Sequence, residues 1–182
     1  MAKVTGGKKL GAKLESLAKK LGGGTGGVSK VRIGFLEGAT YVNGTPVAMV
    51  AAIQEYGAPK AGIPPRPFFR TMIAKHKAEW PKAVAALLKA NDYDVVTTLK
   101  KTGEAISGQL RQSIVDTNAP PLSPVTLMLR KMFGNHPERI RARDVAEARR
   151  RVAAGESYEG VSVKPLVWTG NLLNSVDYEV KP

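Results

Sequence analysis

Apolar residues recur with a helical period near the start of the chain. Leu10, Leu14, Leu17 and Leu21 fall on one face, with lysines between them. That spacing predicts a short, basic, amphipathic helix. GGGTGG (22–27) follows and predicts a flexible tether between this arm and the main body. The period then changes. Val31, Ile33 and Phe35 alternate with Lys30, Arg32 and Gly34, so residues 30–36 read as a strand with one buried face. A loop with an Asn43-Gly44 turn signal leads into the next helix, where Thr45 is the expected cap and Pro46 fits the first turn. Met49, Ile53 and Tyr56 are expected to line one side of PVAMVAAIQEY. Gly57 supplies its left-handed stop, and Pro59 prevents resumption.

Residues 63–70 read IPPRPFFR. Pro64 and Pro65 exclude helix, and a following proline pushes Arg66 to extended geometry. Pro67 opens a helix carrying Phe68, Phe69, Met72 and Ile73, which is expected to bend or break at Trp80-Pro81 and continue through PKAVAALLKA. A long helix is predicted from Asp94 to about Asp116, with Val95, Leu99, Ile106, Leu110 and Ile114 on or near one stripe. Gly103 and Gly108 lower its intrinsic helicity, so packing must sustain it or let a neighbour approach closely. Ser123 and Pro124 cap and open PVTLMLRKMF, which ends at Gly134. RDVAEARRRVAAG predicts a helix with a thin stripe of Val145, Ala148 and Val152, and Glu147 faces Arg151 at i,i+4. Thr169-Gly170 marks a turn, LLNS one helical turn, and Val176, Tyr178 and Val180 a final strand that pairs near the first. No internal repeat is present. The pattern is α+β: a small, mostly antiparallel sheet with long helices packed on one face, plus a basic N-terminal helical arm. The expected organisation is an arm and tether at 1–27 and a single domain at 28–182, with a basic surface insertion at about 131–160.

Composition and charge sharpen this picture. With 182 residues and 43% apolar content, one packed domain is within reach, and at 6% aromatics its core must rest mainly on aliphatic side chains. No apolar run approaches the ~20 residues of a membrane span, and the basic N-terminus has no continuous apolar core of the kind a secretory signal needs. The absence of cysteine excludes disulfides, thiolate zinc sites and cysteine nucleophiles. The net charge of +13 is unevenly spread: residues 1–30 hold seven Lys and one Glu, and residues 130–151 hold eight basic and three acidic residues. Such clusters suit phosphate backbones or acidic protein surfaces without sequence readout, and each is equally consistent with a solvated helix face.

Enzyme templates find no carrier. The two histidines, His76 and His136, are sixty residues apart, and no carboxylate pair flanks either at ligand spacing. GGGTGG lacks the Gly-Lys-Ser/Thr ending of a phosphate loop, and no strand precedes it. No serine sits in a GxSxG elbow, and Asp92 and Asp94 read as caps of the helix behind them. The expectation is therefore no catalytic residue, no cofactor and no metal. The segment RKMFGNHPERIRARDVAEARRR lacks the stacking aromatics of a single-strand reader, and offers an electrostatic surface at most.

Three segments, in order and spacing, resemble the tail-completion and head–tail joining (neck) proteins of long-tailed bacteriophages, also called virion morphogenesis proteins. They are VRIGFLEGATYVNGTPVAMVAAIQEYGAP with IPPRPFFR, then APPLSPVTLMLR, then KPLVWTGNLLNSV. Together they cover roughly residues 30–130 and 161–180. The arm and residues 131–160 depart from the compact pattern of that family. The resemblance implies a non-enzymatic virion component, assembled in the host cytoplasm and located at the neck or tail top. It would form a ring, a hexamer by preference or else a dodecamer, through whose lumen DNA passes. Implied partners are the tail terminator, the head–tail connector and, without sequence preference, genomic DNA; no membrane is implied. In such a ring Pro64, Pro65, Arg66, Pro67, Phe68, Phe69 and Trp168 are the candidate subunit interface: a pre-extended proline segment loses little entropy on assembly. One phenylalanine would sit in its own core while the other, or Arg66, reaches a neighbour; equally, both rings are core and 64–67 a tight corner. Trp168 reads as core or interface. Arg139, Arg141, Arg143, Arg149, Arg150 and Arg151 are candidates for facing lumen DNA or a partner protein. The alternative is a basic, sequence-nonspecific nucleic-acid-binding protein.

Overall fold

The computed structural model describes residues 7–20 and 30–181. Leu21 and the expected tether at 22–27 lie outside the described residues. The basic arm is helix α1 (Gly7–Lys20). The body runs β1 (Lys30–Phe35), α2 (Val47–Tyr56), a 3-10 turn (Pro59–Ala61), α3 (Phe68–His76), α4 (Trp80–Ala90), α5 (Val95–Asp116), α6 (Pro124–Phe133), a second 3-10 turn (Pro137–Arg139), α7 (Ala142–Ala153), α8 (Asn171–Asn174) and β2 (Val176–Lys181). The fold is α+β. Its sheet is one antiparallel ribbon that joins the two ends of the body, in a register from Lys30 opposite Lys181 to Phe35 opposite Val176.

A two-stranded ribbon is marginal by itself in water, and α5 supplies the surface it needs. The N-terminal half of α5 buries Thr98, Thr102 and Gly103, and its C-terminal half buries Ser107, Leu110 and Ile114. This corrects the expected stripe, because Val95, Leu99 and Ile106 are only half-buried. Small residues replace large ones where the ribbon lies close. A Cβ added to Gly103 would strike the Tyr178 ring and come within 3.0 Å of Val31 Cγ2. Thr98 Oγ1 donates to Asp94 O (2.7 Å) and Thr102 Oγ1 to Thr98 O (2.8 Å), whereas Ser107 Oγ is buried without a hydrogen-bond partner. Gly108, by contrast, is exposed and meets nothing within 4 Å. Gly103→Ala should therefore lower stability by about 1–3 kcal/mol in urea unfolding, although alanine is the better helix former by about 1 kcal/mol. Gly108→Ala, with no such neighbour, should raise it.

The main core gathers Val47 and Ala51 of α2, Phe68 and Met72 of α3, Leu110 and Ile114 of α5, then Leu166, Leu172 and Val176. Phe35 and Phe68 meet edge to face with centroids 6.2 Å apart. Ser113 Oγ donates to Phe68 O at 2.7 Å and pins α3 to α5. Leu127, Met128 and Ala148 are buried where α6 and α7 pack together. The α3–α4 break falls at 77–79, just ahead of Trp80, whose indole donates to Gln109 Oε1 (2.9 Å).

Capping follows the sequence at two helices and departs from it at a third. Asp94 accepts from Thr97 N at 3.0 Å and Ser123 from Thr126 N at 3.2 Å, each as an N-cap. Asp92 instead takes a turn position with φ 51°. Thr45 does not cap α2. Pro46 holds that position in extended geometry, and Val47 N is satisfied by Ala39 O at 2.9 Å. Met49, Ile53 and Tyr56 share one side of α2, and it is the outward one: Met49 and Tyr56 are exposed, while Val47, Ala51 and Glu55 are buried.

Candidate functional site

Four successive residues at the end of α2 grip the proline corner. Gln54 O accepts from Arg66 N (2.6 Å) and Gln54 Oε1 from Arg66 Nη1 (3.1 Å). The Glu55 carboxylate accepts from Phe69 N (2.9 Å), Arg70 N (3.2 Å) and Arg70 Nε (2.7 Å). The Tyr56 ring lies under the Arg70 guanidinium, 5.1 Å from its centroid. Gly57 has φ 78°, and a Cβ there would sit 2.9 Å from both Ile63 O and Pro65 N. Helix α3 starts after Pro67, which has no side-chain acceptor to offer. Its first N–H groups are therefore capped from another helix, and the negative charge of Glu55 meets the positive end of the α3 dipole.

This staple settles where the candidate interface residues sit. Pro64, Pro65 and Pro67 are exposed. Arg66 is 5% and Phe68 1% exposed, so both side chains lie inside their own chain. Both are consumed within their own chain, Phe68 because a benzyl side chain gains most in the core, and Arg66 because its donors go to Gln54 and to Pro120 O (3.1 Å). Phe69 is half-buried and packs on the core, its ring 3.7 Å from where a Gly34 Cβ would stand. Trp168 is half-buried too; its indole donates to Gly134 O at 2.5 Å, and its ring faces Arg130 at 5.2 Å.

Arg130, on α6, is the residue that sequence reasoning passed over. It is 4% exposed. Its Nη1 donates to Ser162 O (2.6 Å), Lys164 O (2.9 Å) and Val167 O (3.4 Å), and its Nη2 to Pro165 O (3.3 Å). One guanidinium thus ties α6 to the 162–167 segment. Burial lowers its pKa, with the positive charge of Arg66 adding to the effect, and burial alone lowers that of Arg66. The available signal was an arginine three residues after Leu127, at core spacing on an apolar helix.

A cleft of about 630 Å³ opens beside this clasp, walled by Tyr41, Val42, Val50, Trp168, Asn171 and Asn174 among others. Glu138 is the one carboxylate in its lining, and a backbone hydrogen bond and His136 hold it below the ordinary glutamate range. No paired acid and base face each other across it. Among the described residues no group of three or more His, Asp or Glu could hold a metal, and no helix is long and apolar enough to cross a membrane.

The arginine-rich segment is laid out on the surface. Arg139, Arg141, Arg143, Arg149 and Arg150 are exposed, and Arg151 is half-buried. Glu147 pairs with both Arg150 (2.5 Å) and Arg151 (2.9 Å), and Arg151 also approaches Glu156 at 3.8 Å. The Arg151 hydrogen bond, then the Arg150 charge, lowers the Glu147 pKa. A depressed carboxylate pKa stabilises the fold above the unfolded-state value and loses that contribution as pH falls through the folded-state value. In an NMR titration Glu147 should ionise at lower pH than an isolated glutamate, and Arg151→Ala should move it back up. An unmoved Glu147 would show the pairing to be idle in solution.

No family model matches the chain, and neither a curated protein nor a solved structure matches it.

Proposed function

We propose that this chain is a structural component of a long-tailed bacteriophage virion, forming a ring at the tail top that completes the tail and joins it to the head connector, with DNA passing through the lumen. The supporting observation is the stapled corner. The residues IQEYG and PPRPFFR, whose order carries the family resemblance, hold each other through Gln54–Arg66 and Glu55–Arg70 and so keep Pro64, Pro65 and Pro67 fixed and outward. A rigid exposed corner is what one subunit needs to present a constant edge to the next. The proposed partners are further copies of the chain, six by preference or else twelve, together with the tail terminator and head–tail connector. No cofactor or catalytic step enters this role.

Light scattering on the sized, purified chain, with negative-stain imaging, tests the reading. A closed ring is the expected result. A monomer at high concentration, together with intact infectious virions after deletion of the gene, would overturn it. The exposed arginines at 139–150 favour a second reading, sequence-nonspecific nucleic-acid binding. A salt titration separates the two: tight DNA binding near physiological salt with a steep salt slope supports the second, and binding that has vanished by then supports the ring.

A further inference from the structure

We propose that the cleft beside Arg130 binds an extended peptide segment of a partner protein, one whose acidic side chain is drawn to the buried Arg130–Arg66 pair. The site neither requires the ring nor follows from it.

Two guanidinium groups are enclosed here with only neutral acceptors. Arg130 is 4% and Arg66 5% exposed. Arg130 donates to four backbone carbonyls, and Arg66 to Gln54 Oε1 and Pro120 O. Arg66 is near enough for its positive charge to act on Arg130. Arg130 Nε, in addition, is buried with no hydrogen-bond partner. Buried charge is costly unless an opposite charge offsets it. Attraction to an incoming anion is also stronger beside a low-dielectric wall than in open water. Two like charges and an unused donor at one place therefore favour a negatively charged group from outside.

The cleft gives such a group a way in, because Arg130 forms part of its wall. Its volume, about 630 Å³, falls within the usual range for ligand sites. The rest of the lining matches a peptide. Tyr41, Val42, Val50 and Trp168 offer apolar surface to aliphatic side chains. Asn135, Asn171 and Asn174 line it as well, and none of their side-chain amides is bonded within the chain. An amide side chain carries a donor and an acceptor side by side, which suits the N–H and C=O groups that an extended backbone presents in turn.

Other anions match less well. Among the described residues Arg130 is the only basic side chain in the lining, and it is too enclosed to follow a run of phosphates. The Glu138 carboxylate in the same wall repels a polyanion. Arg143, Arg149 and Arg150, which are exposed as phosphate contacts need to be, lie outside the cleft. A neutral sugar would use the amides and the indole but leave the paired cations without an opposite charge.

Selection of short random peptides against the purified chain tests the site without a prior choice of sequence. The expected result is enrichment of peptides with an Asp or Glu flanked by apolar residues. In NMR spectra of the labelled chain, a selected peptide should shift the Trp168 indole and the side-chain amides of Asn135, Asn171 and Asn174. Its counterpart with Gln or Asn in place of the acid should bind about tenfold more weakly or worse. Asn171→Leu, whose side chain has no bond to lose, should also weaken binding about tenfold at an unchanged melting temperature. Selection that enriches nothing over the Asn171→Leu chain, or only peptides without an acid, overturns the proposal. So does an acidic peptide that leaves the cleft resonances unmoved. Oligothymidylate serves as a second probe: if it shifts the same resonances and displaces the peptide, the cleft belongs to nucleic acid and the peptide assignment is wrong.

Discussion

Arg130→Met should destabilise the protein by about 3–5 kcal/mol, the largest effect expected of any single substitution considered. The reason is not the loss of a charge as such. Four backbone carbonyls, those of Ser162, Lys164, Pro165 and Val167, converge on this one guanidinium. Methionine fills the space but donates nothing, so one buried and three part-buried bonds to backbone acceptors are lost at once, at about 1–3 kcal/mol for each acceptor that stays dry. Relaxation and entry of water keep the sum below simple addition. Arg130→Lys keeps the charge but not the planar fork, and should recover only part of the loss. Chemical denaturation gives the magnitude. Hydrogen exchange should locate the damage at 162–168, with a shift in Trp168 emission because its ring loses the cation it faces. A methionine variant within about 1 kcal/mol of the parent would show that the 162–167 segment holds itself.

Glu55→Ala should cost about 2–4 kcal/mol. Its carboxylate is buried and takes the first free N–H groups of α3 as well as the Arg70 side chain. Loss of a charged cap accounts for about 1–2 kcal/mol, and hydrogen bonds to a charged acceptor for the rest. Arg70→Ala separates the two contributions. The Arg70 side chain is 56% exposed, so its ion pair is worth about 0–1 kcal/mol. If Arg70→Ala proves as harmful as Glu55→Ala, the ion pair and not the helix cap is what matters. The functional consequence follows from position: without Glu55 the start of α3 frays, and Pro64, Pro65 and Pro67 no longer hold one orientation. The proposed ring should then fail to form in Glu55→Ala at temperatures where the body is still folded.

Several features were legible before any coordinates. The alternation within each strand, the stop at Gly57, the Ser123-Pro124 start of α6 and the Glu147–Arg151 pair all depend on residues close in the chain; the break expected at Trp80-Pro81 was legible only roughly, since it falls at 77–79. Local sterics and i,i+4 reach fix such features, and local sequence carries them in full. The close approach at Gly103 was legible as a choice between two outcomes, and the ribbon above it decided which.

The interface candidates differ in burial, and the reason is visible in α2. A helix with apolar residues on every side has no single periodic answer, so spacing could not say whether Met49 or Val47 faces the core. Glu55 decided it, because its carboxylate must reach α3. The same contact, with Gln54, drew Arg66 and Phe68 inward and left the prolines outside. The amino-acid sequence alone therefore determined the α+β class, the order of the main elements and the basic character of the arm and of residues 131–160. Tertiary structure alone decided which face of α2 is free, that Arg130 is a buried clasp, and that the proline corner is stapled from within. Those three outcomes rest on hydrogen bonds between residues 12 to 37 positions apart, whose energy depends on distance and direction in space that no local pattern of residue types records.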